Sequence, residues 1–158
     1  MGSRRKKRLS YEGKRNPCVV CQQPNITKSL RSSRDILACL KPFRDKRQEY
    51  FVTLSLDSAG RLIKRRVVTI GLLSSSLVHP REVFAGPLID RAASVIICHN
   101  HPSDIAEPSK EDIKTTQQLI SAGILLGMHL QDHFIVTQTG YYSFLEHGLI
   151  ENKPTLYT

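Results

Sequence analysis

Long apolar runs are missing from this 158-residue chain. Its uninterrupted hydrophobic stretches, such as Val95–Ile97 and Phe134–Val136, are far shorter than the ~20 residues a bilayer-spanning helix needs. The N-terminal GSRRKKRLSYEGKRN also lacks the apolar core of a secretory signal. These absences argue against a membrane partner and make a soluble, cytoplasmic protein the expectation. Cysteine is scarce, with Cys18, Cys21, Cys39 and Cys98 only, so a disulfide framework is not expected. Cys18 and Cys21 form a single CxxC. A structural zinc site needs four ligands, and no second CxxC or HxxxH follows. The pair reads as two small loop residues, as half of a site completed by another chain, or as the vestige of a zinc ribbon.

Acidic residues are few near the start. Residues 1–47 hold 14 Lys/Arg against 3 Asp/Glu, a net +11, whereas residues 48–158 hold 9 against 11, a net −2; together they make the formal +9. The positive charge therefore belongs to an N-terminal arm carrying Arg4, Arg5, Lys6, Lys7, Arg8, Lys14 and Arg15. Such an arm is either a solvated tail or a non-specific contact for nucleic-acid phosphates. The near-neutral remainder, with 40% hydrophobic residues overall, has room for one globular domain.

What is present falls into three parts: a polar arm at 1–30, a body at 31–150 and a short tail at 151–158. In the body, Ser33–Leu40 predicts a helix with Ser33 as N-cap and Asp35 in its first turn, ended by Pro42. Tyr50–Leu56 alternates as a strand, Asp57–Gly60 turns, and Leu62–Ile70 returns as a second strand. Ser74–Leu77 reads as a loop. Pro80 opens a helix to about Ala93, broken or bent at Gly86-Pro87. SVIICH at 94–99 reads as a buried strand, Ser109–Leu126 as a helix ended by Gly123 or Gly127, His129–Thr137 as a strand, and Tyr141–Phe144 as a last pairing segment. The pattern is an α/β domain with a mixed sheet.

The unusual stretch is CHNHPSDIAEPSKED, residues 98–112. Alternate residues of a strand point to one side, so His99 and His101 can converge on one point. Asp112 falls in the first turn of the following helix. Two neutral imidazoles and a carboxylate suit Zn²⁺ and leave a fourth tetrahedral position for water, the mark of a catalytic rather than a structural site. Taken alone, Asp112 reads more readily as a helix cap than as a ligand, with Ser109 as N-cap; it is the combination with the two histidines that points to a metal. The other histidines, His79, His129, His133 and His147, are assigned no metal role; His133, beside Asp132, reads as a packed core residue or one that orients something nearby.

His99, His101, Ser109 and Asp112 match H-x-H-x7-S-x2-D with every spacing intact, and this resembles the JAMM signature of JAB/MPN metalloproteases. SLVHPREVFAGPLIDRAASVIICHNHPS and LGMHLQDHFIV narrow the resemblance to the RadC branch, over about residues 36–150. The resemblance implies a three-layer, cytidine deaminase-like α/β fold with a mixed sheet flanked by helices. It also implies a zinc hydrolase acting on a peptide or isopeptide bond of a protein substrate. A catalytic glutamate is implied upstream of the histidines. Glu49, just before the first strand, fits by order and position, and Glu82 is the competitor. Ser109 would cap its helix and help hold an oxyanion.

Two departures stand out. RadC-like chains read HNHPSGD where this chain has HPSDI, so Asp104 stands at the glycine position and is expected to reshape that loop. The helix-hairpin-helix region of full-length RadC proteins is not in this sequence, which weakens a DNA-repair role drawn from the family label. The competing function is a nucleic-acid-binding module with a structural or vestigial metal. Zinc deaminases are excluded, since they require H-x-E and a later P-C-x-x-C.

Overall fold

The computed structural model describes residues 29–71 and 78–151. The basic arm, the Cys18/Cys21 pair, the Ser74–Leu77 loop and the tail beyond residue 151 lie outside the described residues. The elements are α1 (Ser33–Leu40), a 3-10 turn (Lys41–Phe43), β1 (Tyr50–Leu56), β2 (Leu62–Ile70), α2 (Pro80–Ile89), β3 (Ser94–Asn100), α3 (Lys110–Leu125), β4 (His129–Val136) and β5 (Tyr141–Ser143). They form one mixed five-stranded sheet in the order β2-β1-β3-β4-β5. Only the β3–β4 pair is parallel, joined by the α3 crossover.

Helices cover both faces, as the three-layer expectation requires. On one face Leu30, Ile36, Leu40 and Phe43 pack on Val52, Leu54, Ile96, Cys98 and Phe134. On the other Val83, Phe84 and Leu119 pack on Phe51, Val95, Ile97 and Ile135. That is why β1 and β3 are buried on both sides although β1 alternates in hydrophobicity: its Thr53 and Ser55 lie under the second helical layer. Cys39 and Cys98 are buried and in no disulfide.

Several boundaries move. The folded body starts before residue 31: Ser29 bridges to Arg61, the Leu30 N–H donates to Gly60 O at 2.8 Å, and the Leu30 side chain is buried in the core. The N-cap of α1 is Ser32, not Ser33, its hydroxyl accepting from the Asp35 N–H. Helix α2 runs through Gly86-Pro87 and ends at Ile89, not Ala93. The chain leaves the helix where Arg91 takes a left-handed φ of 54°. Gly86 is needed for another reason than a break: a Cβ there would lie 2.6 Å from Cδ of Arg66, whose guanidinium crosses the helix to pair with Asp90. Helix α3 ends at a Schellman cap, with Gly127 at φ 65° and the Met128 N–H donating to Gly123 O at 2.8 Å.

Candidate metal centre

Strand alternation sends Val95, Ile97 and His99 toward the α2/α3 layer, and Ile96, Cys98 and Asn100 toward α1. At the end of β3 the chain continues so that His101 follows His99 on the same side. Nε2 of the two imidazoles approach to 3.0 Å. Asp112 meets them from α3, with Oδ1 3.3 Å from His99 Nε2 and Oδ2 3.6 Å from His101 Nε2. One ligand atom from each of the three lies within 4.8 Å of the others, the one group of this kind among the described residues.

The helix cap and the ligand are one structure. Ser109 is the N-cap, its Oγ accepting from the Asp112 N–H at 3.1 Å. The Ser109 N–H and hydroxyl donate in turn to Asp112 Oδ2 at 2.8 and 2.6 Å, completing a capping box. That box fixes the carboxylate and leaves Oδ1 toward His99. It also engages the single Ser109 hydroxyl proton, so in this arrangement Ser109 positions Asp112 and does not point a donor at a substrate oxygen.

Both histidines are tied by their outer nitrogens. His101 Nδ1 lies 2.7 Å from the carbonyl of Ile105, which can only accept, so Nδ1 carries the proton and Nε2 offers its lone pair. His99 Nδ1 lies 2.8 Å from His133 Nε2. Burial pushes the His99 imidazole down to about 4, so at neutral pH it is uncharged. His101 is shifted up, first by the Asp112 carboxylate facing it, against its partial burial. Burial pushes the Asp112 carboxyl up, but the facing imidazoles of His101 and His99 and the hydrogen bonds from Ser109 outweigh it and hold the group well below the usual carboxylate range.

Two inward-facing nitrogens and a carboxylate repel one another unless a cation lies between them. Ligands tetrahedrally placed at zinc distances stand roughly 3.3 Å apart, near the spacing seen here. The donor set therefore fits a divalent metal with nitrogen and oxygen preference, and the outer nitrogen of each histidine already has the partner that such ligands need.

Asp104 has φ 61°, the left-handed conformation that glycine favours and aspartate tolerates. Its carboxylate accepts from the Thr139 N–H and hydroxyl, each at 3.0 Å. The turn is thereby pinned to the β4–β5 connection, and it presents the Ile105 carbonyl to His101.

Glu49 is brought to the site and Glu82 is not. The β1–β3 ladder ends at Phe51 paired with His99, and Glu49 lies just beyond that end, before β1, as His101 lies just beyond β3. The Glu49 charge is one of those that raise His101. Glu82 lies on the exposed first turn of α2 and pairs with Arg81 at 3.1 Å. A cleft of about 370 Å³ opens beside His101, lined by Arg44, Lys46, Arg47, Pro102, Asp104 and Gln138.

Three further residues are in contact with this arrangement; Asn100 and Thr116 carry no functional role from the sequence, and His133 reads there as a packed core residue or one that orients something nearby. Asn100, buried between the two histidines, points the other way and holds the segment before β1: its Oδ1 accepts from the Tyr50 N–H, and its Nδ2 donates to Lys46 O and Gln48 O. His133 and Thr116 lie behind His99. Thr116 left a sequence signal in its i+4 spacing from Asp112 on α3, and His133 in its place beside Asp132. Of the other histidines, His79 caps α2 and His147 stacks on Tyr142.

Comparison with known proteins agrees with the geometry. The family described as RadC-like JAB domain matches residues 30–149. A UPF0758 protein of Methanosarcina acetivorans is 43% identical over 120 residues, covering 75% of this chain and 52% of the relative. One from Methanospirillum hungatei is 54% identical over 93 residues, covering 59% and 41%. One from Geotalea uraniireducens is 45% identical over 108 residues, covering 68% and 47%. The chain thus spans about half the length of the curated relatives it matches. With its matched segment spanning the whole sheet and the histidine–aspartate cluster, the chain belongs to the RadC-like JAB domain family.

Proposed function

We propose that this domain is a zinc-dependent hydrolase of the JAMM type that cleaves a peptide or isopeptide bond in a protein substrate. The observation that carries this reading is the convergence of His99 Nε2, His101 Nε2 and Asp112 with each outer polar atom already engaged. A zinc ion bound by these three supplies Lewis acidity and water acidified to near neutrality.

The chain's own residues supply the rest. Glu49, just beyond the paired end of β1 and near enough for its charge to raise His101, takes the proton of the attacking water and returns it to the leaving amine. Glu82 is set aside as base because it is on the exposed side of α2. Ser109 and Asp112 hold the carboxylate ligand in place through the capping box. The cleft beside His101 is the route for an extended substrate.

The test is metal content and cleavage measured together. Wild type should hold about one zinc per chain, and His99→Ala, His101→Ala and Asp112→Ala should each lose it. In a peptide-library screen Glu49→Gln should abolish cleavage while keeping the metal. Full zinc occupancy in all three ligand variants would remove the site, and cleavage persisting in Glu49→Gln would remove Glu49 as base.

The charge of the arm favours a second reading, contact with nucleic-acid phosphates. It predicts binding that weakens steeply with salt and is lost when residues 1–28 are deleted. Binding unchanged by the deletion would exclude the arm as the contact.

A further inference from the structure

Behind His99 lies a buried chain of polar groups whose proton directions can be derived. Thr116 Oγ1 donates to the carbonyl oxygen of Asp112 at 2.6 Å. A carbonyl only accepts, so the one hydroxyl proton of Thr116 is committed there. Thr116 Oγ1 also lies 2.7 Å from His133 Nδ1, and toward that nitrogen it can now only accept. His133 must therefore carry its proton on Nδ1. Its ring is 1% exposed and lies stacked on Phe144, with centroids 4.5 Å apart. Burial keeps the ring neutral, which leaves a lone pair on Nε2. That lone pair faces His99 Nδ1 at 2.8 Å, so His99 in turn holds its proton on Nδ1. The remaining lone pair of His99, on Nε2, then points at Asp112 and His101.

From this we infer that His133 and Thr116 are positioning residues that fix the tautomer and ring orientation of His99, with the Asp112 backbone carbonyl setting the direction of the whole relay. The relay is closed on one helix turn. It starts at the main chain of Asp112 and ends where the side chain of the same residue faces the site. Phe51, stacked parallel to His99 at 6.2 Å, and Phe144 behind His133 wall the two rings off from competing water. The side chains of Thr116, His133 and His99 are all buried, so no water competes for these contacts and each proton has one direction. The inference rests on the metal-site reading for its consequence, but the proton order follows from the hydrogen bonds together with the burial of the two rings.

The first test is nitrogen-15 NMR of the histidine rings in the wild-type protein with and without zinc. Protons on Nδ1 of both His99 and His133, and none on Nε2 of His133, are expected. A proton on His133 Nε2 would overturn the relay. The second test is zinc affinity by competition with a chelator, read beside thermal unfolding. His133→Phe keeps the aromatic packing but removes the acceptor, and should weaken zinc binding about 10- to 100-fold. His133→Gln can offer an amide oxygen to His99 and should recover most of that loss. Thr116→Val should weaken zinc less than His133→Phe. If wild type binds zinc and His133→Phe binds it equally well, the inference fails while the metal site stands. If wild type binds no zinc at all, the metal-site reading fails first. Should His133→Phe not fold, the NMR result on wild type still decides the relay.

Discussion

The side-chain oxygen of Asn100 accepts the Tyr50 N–H at 2.8 Å, so the residue between the two candidate metal ligands also holds the start of β1. Its amide nitrogen binds Gln48 O at 3.0 Å and Lys46 O at 3.3 Å, and the Gly71 N–H donates to Glu49 O at 2.9 Å. The backbone on both sides of Glu49 is thereby fixed relative to His99 and His101. Asn100→Ala should lower stability by about 2–4 kcal/mol, because buried main-chain groups lose their partners. It should also reduce cleavage while leaving zinc content near that of wild type. Urea unfolding and metal analysis on the same preparation check this, and a loss of zinc equal to that of His99→Ala would contradict it.

Ser109→Ala removes the hydroxyl that caps α3 and donates to Asp112. The expected loss is about 1 kcal/mol of stability, together with weaker zinc binding as Asp112 loses its restraint. Ser109→Thr keeps the hydroxyl and should restore both. A Ser109→Ala variant with full zinc affinity and a large loss of turnover alone would favour an oxyanion role instead.

Asp104 combines a left-handed backbone with two bonds to Thr139. Asp104→Ala loses the bonds and places an alanine where φ is unfavourable by about 1–2 kcal/mol. Asp104→Gly loses the bonds only. Zinc affinity and melting temperature should therefore fall further in Asp104→Ala than in Asp104→Gly, because the turn carries the carbonyl that orients His101. Equal effects would show that the backbone conformation is immaterial.

Gly123 packs with no room to spare: a Cβ would lie 2.5 Å from the Met128 carbonyl and 3.3 Å from Phe84. Gly123→Ala should destabilise by about 1–3 kcal/mol despite alanine's better helix propensity, seen as a lower unfolding midpoint. An unchanged or raised midpoint would mean that the α3–β4 connection yields freely.

The Arg66–Asp90 pair sets a pH dependence. Burial raises the Asp90 carboxyl, but the Arg66 guanidinium donates to both of its oxygens and holds it below its ordinary 3.8. A folded-state value below the unfolded one means that ionised Asp90 stabilises the protein above the unfolded value. That contribution is lost as pH falls through the lower folded value. Asp90→Asn should be less stable than wild type at neutral pH, and the gap should narrow as pH falls below the ordinary value of 3.8. Denaturant unfolding at neutral pH and below that value checks the sign.

Elements whose signal is local were legible from the residues alone. The periodicity of Tyr50–Leu56 and Leu62–Ile70, the Ser109 cap and the Gly127 stop are written in short-range chemistry, and the strands and α3 form where that chemistry places them. The H-x-H and S-x2-D spacings likewise predicted which residues would meet, since strand alternation and a helix cap each fix direction within a few residues. Local reading failed where neighbours overrode propensity. The helix passes through Pro87 where that residue is buried with Val83 and Phe84 on its packed face, and Leu30 joins the core because the sheet offers a surface for it. Which partners stand behind the ligands was not legible in the sequence, although Thr116 follows Asp112 by four residues and His133 stands beside Asp132. His133 reaches His99 only through the parallel β3–β4 pairing, across 34 residues, and Asn100 reaches Tyr50 across 50. Residue spacing determines the ligands because they lie on two adjoining elements. The tertiary fold alone decides which nitrogen each histidine presents, because hydrogen-bond direction depends on partners that chain topology, not proximity in sequence, brings into contact.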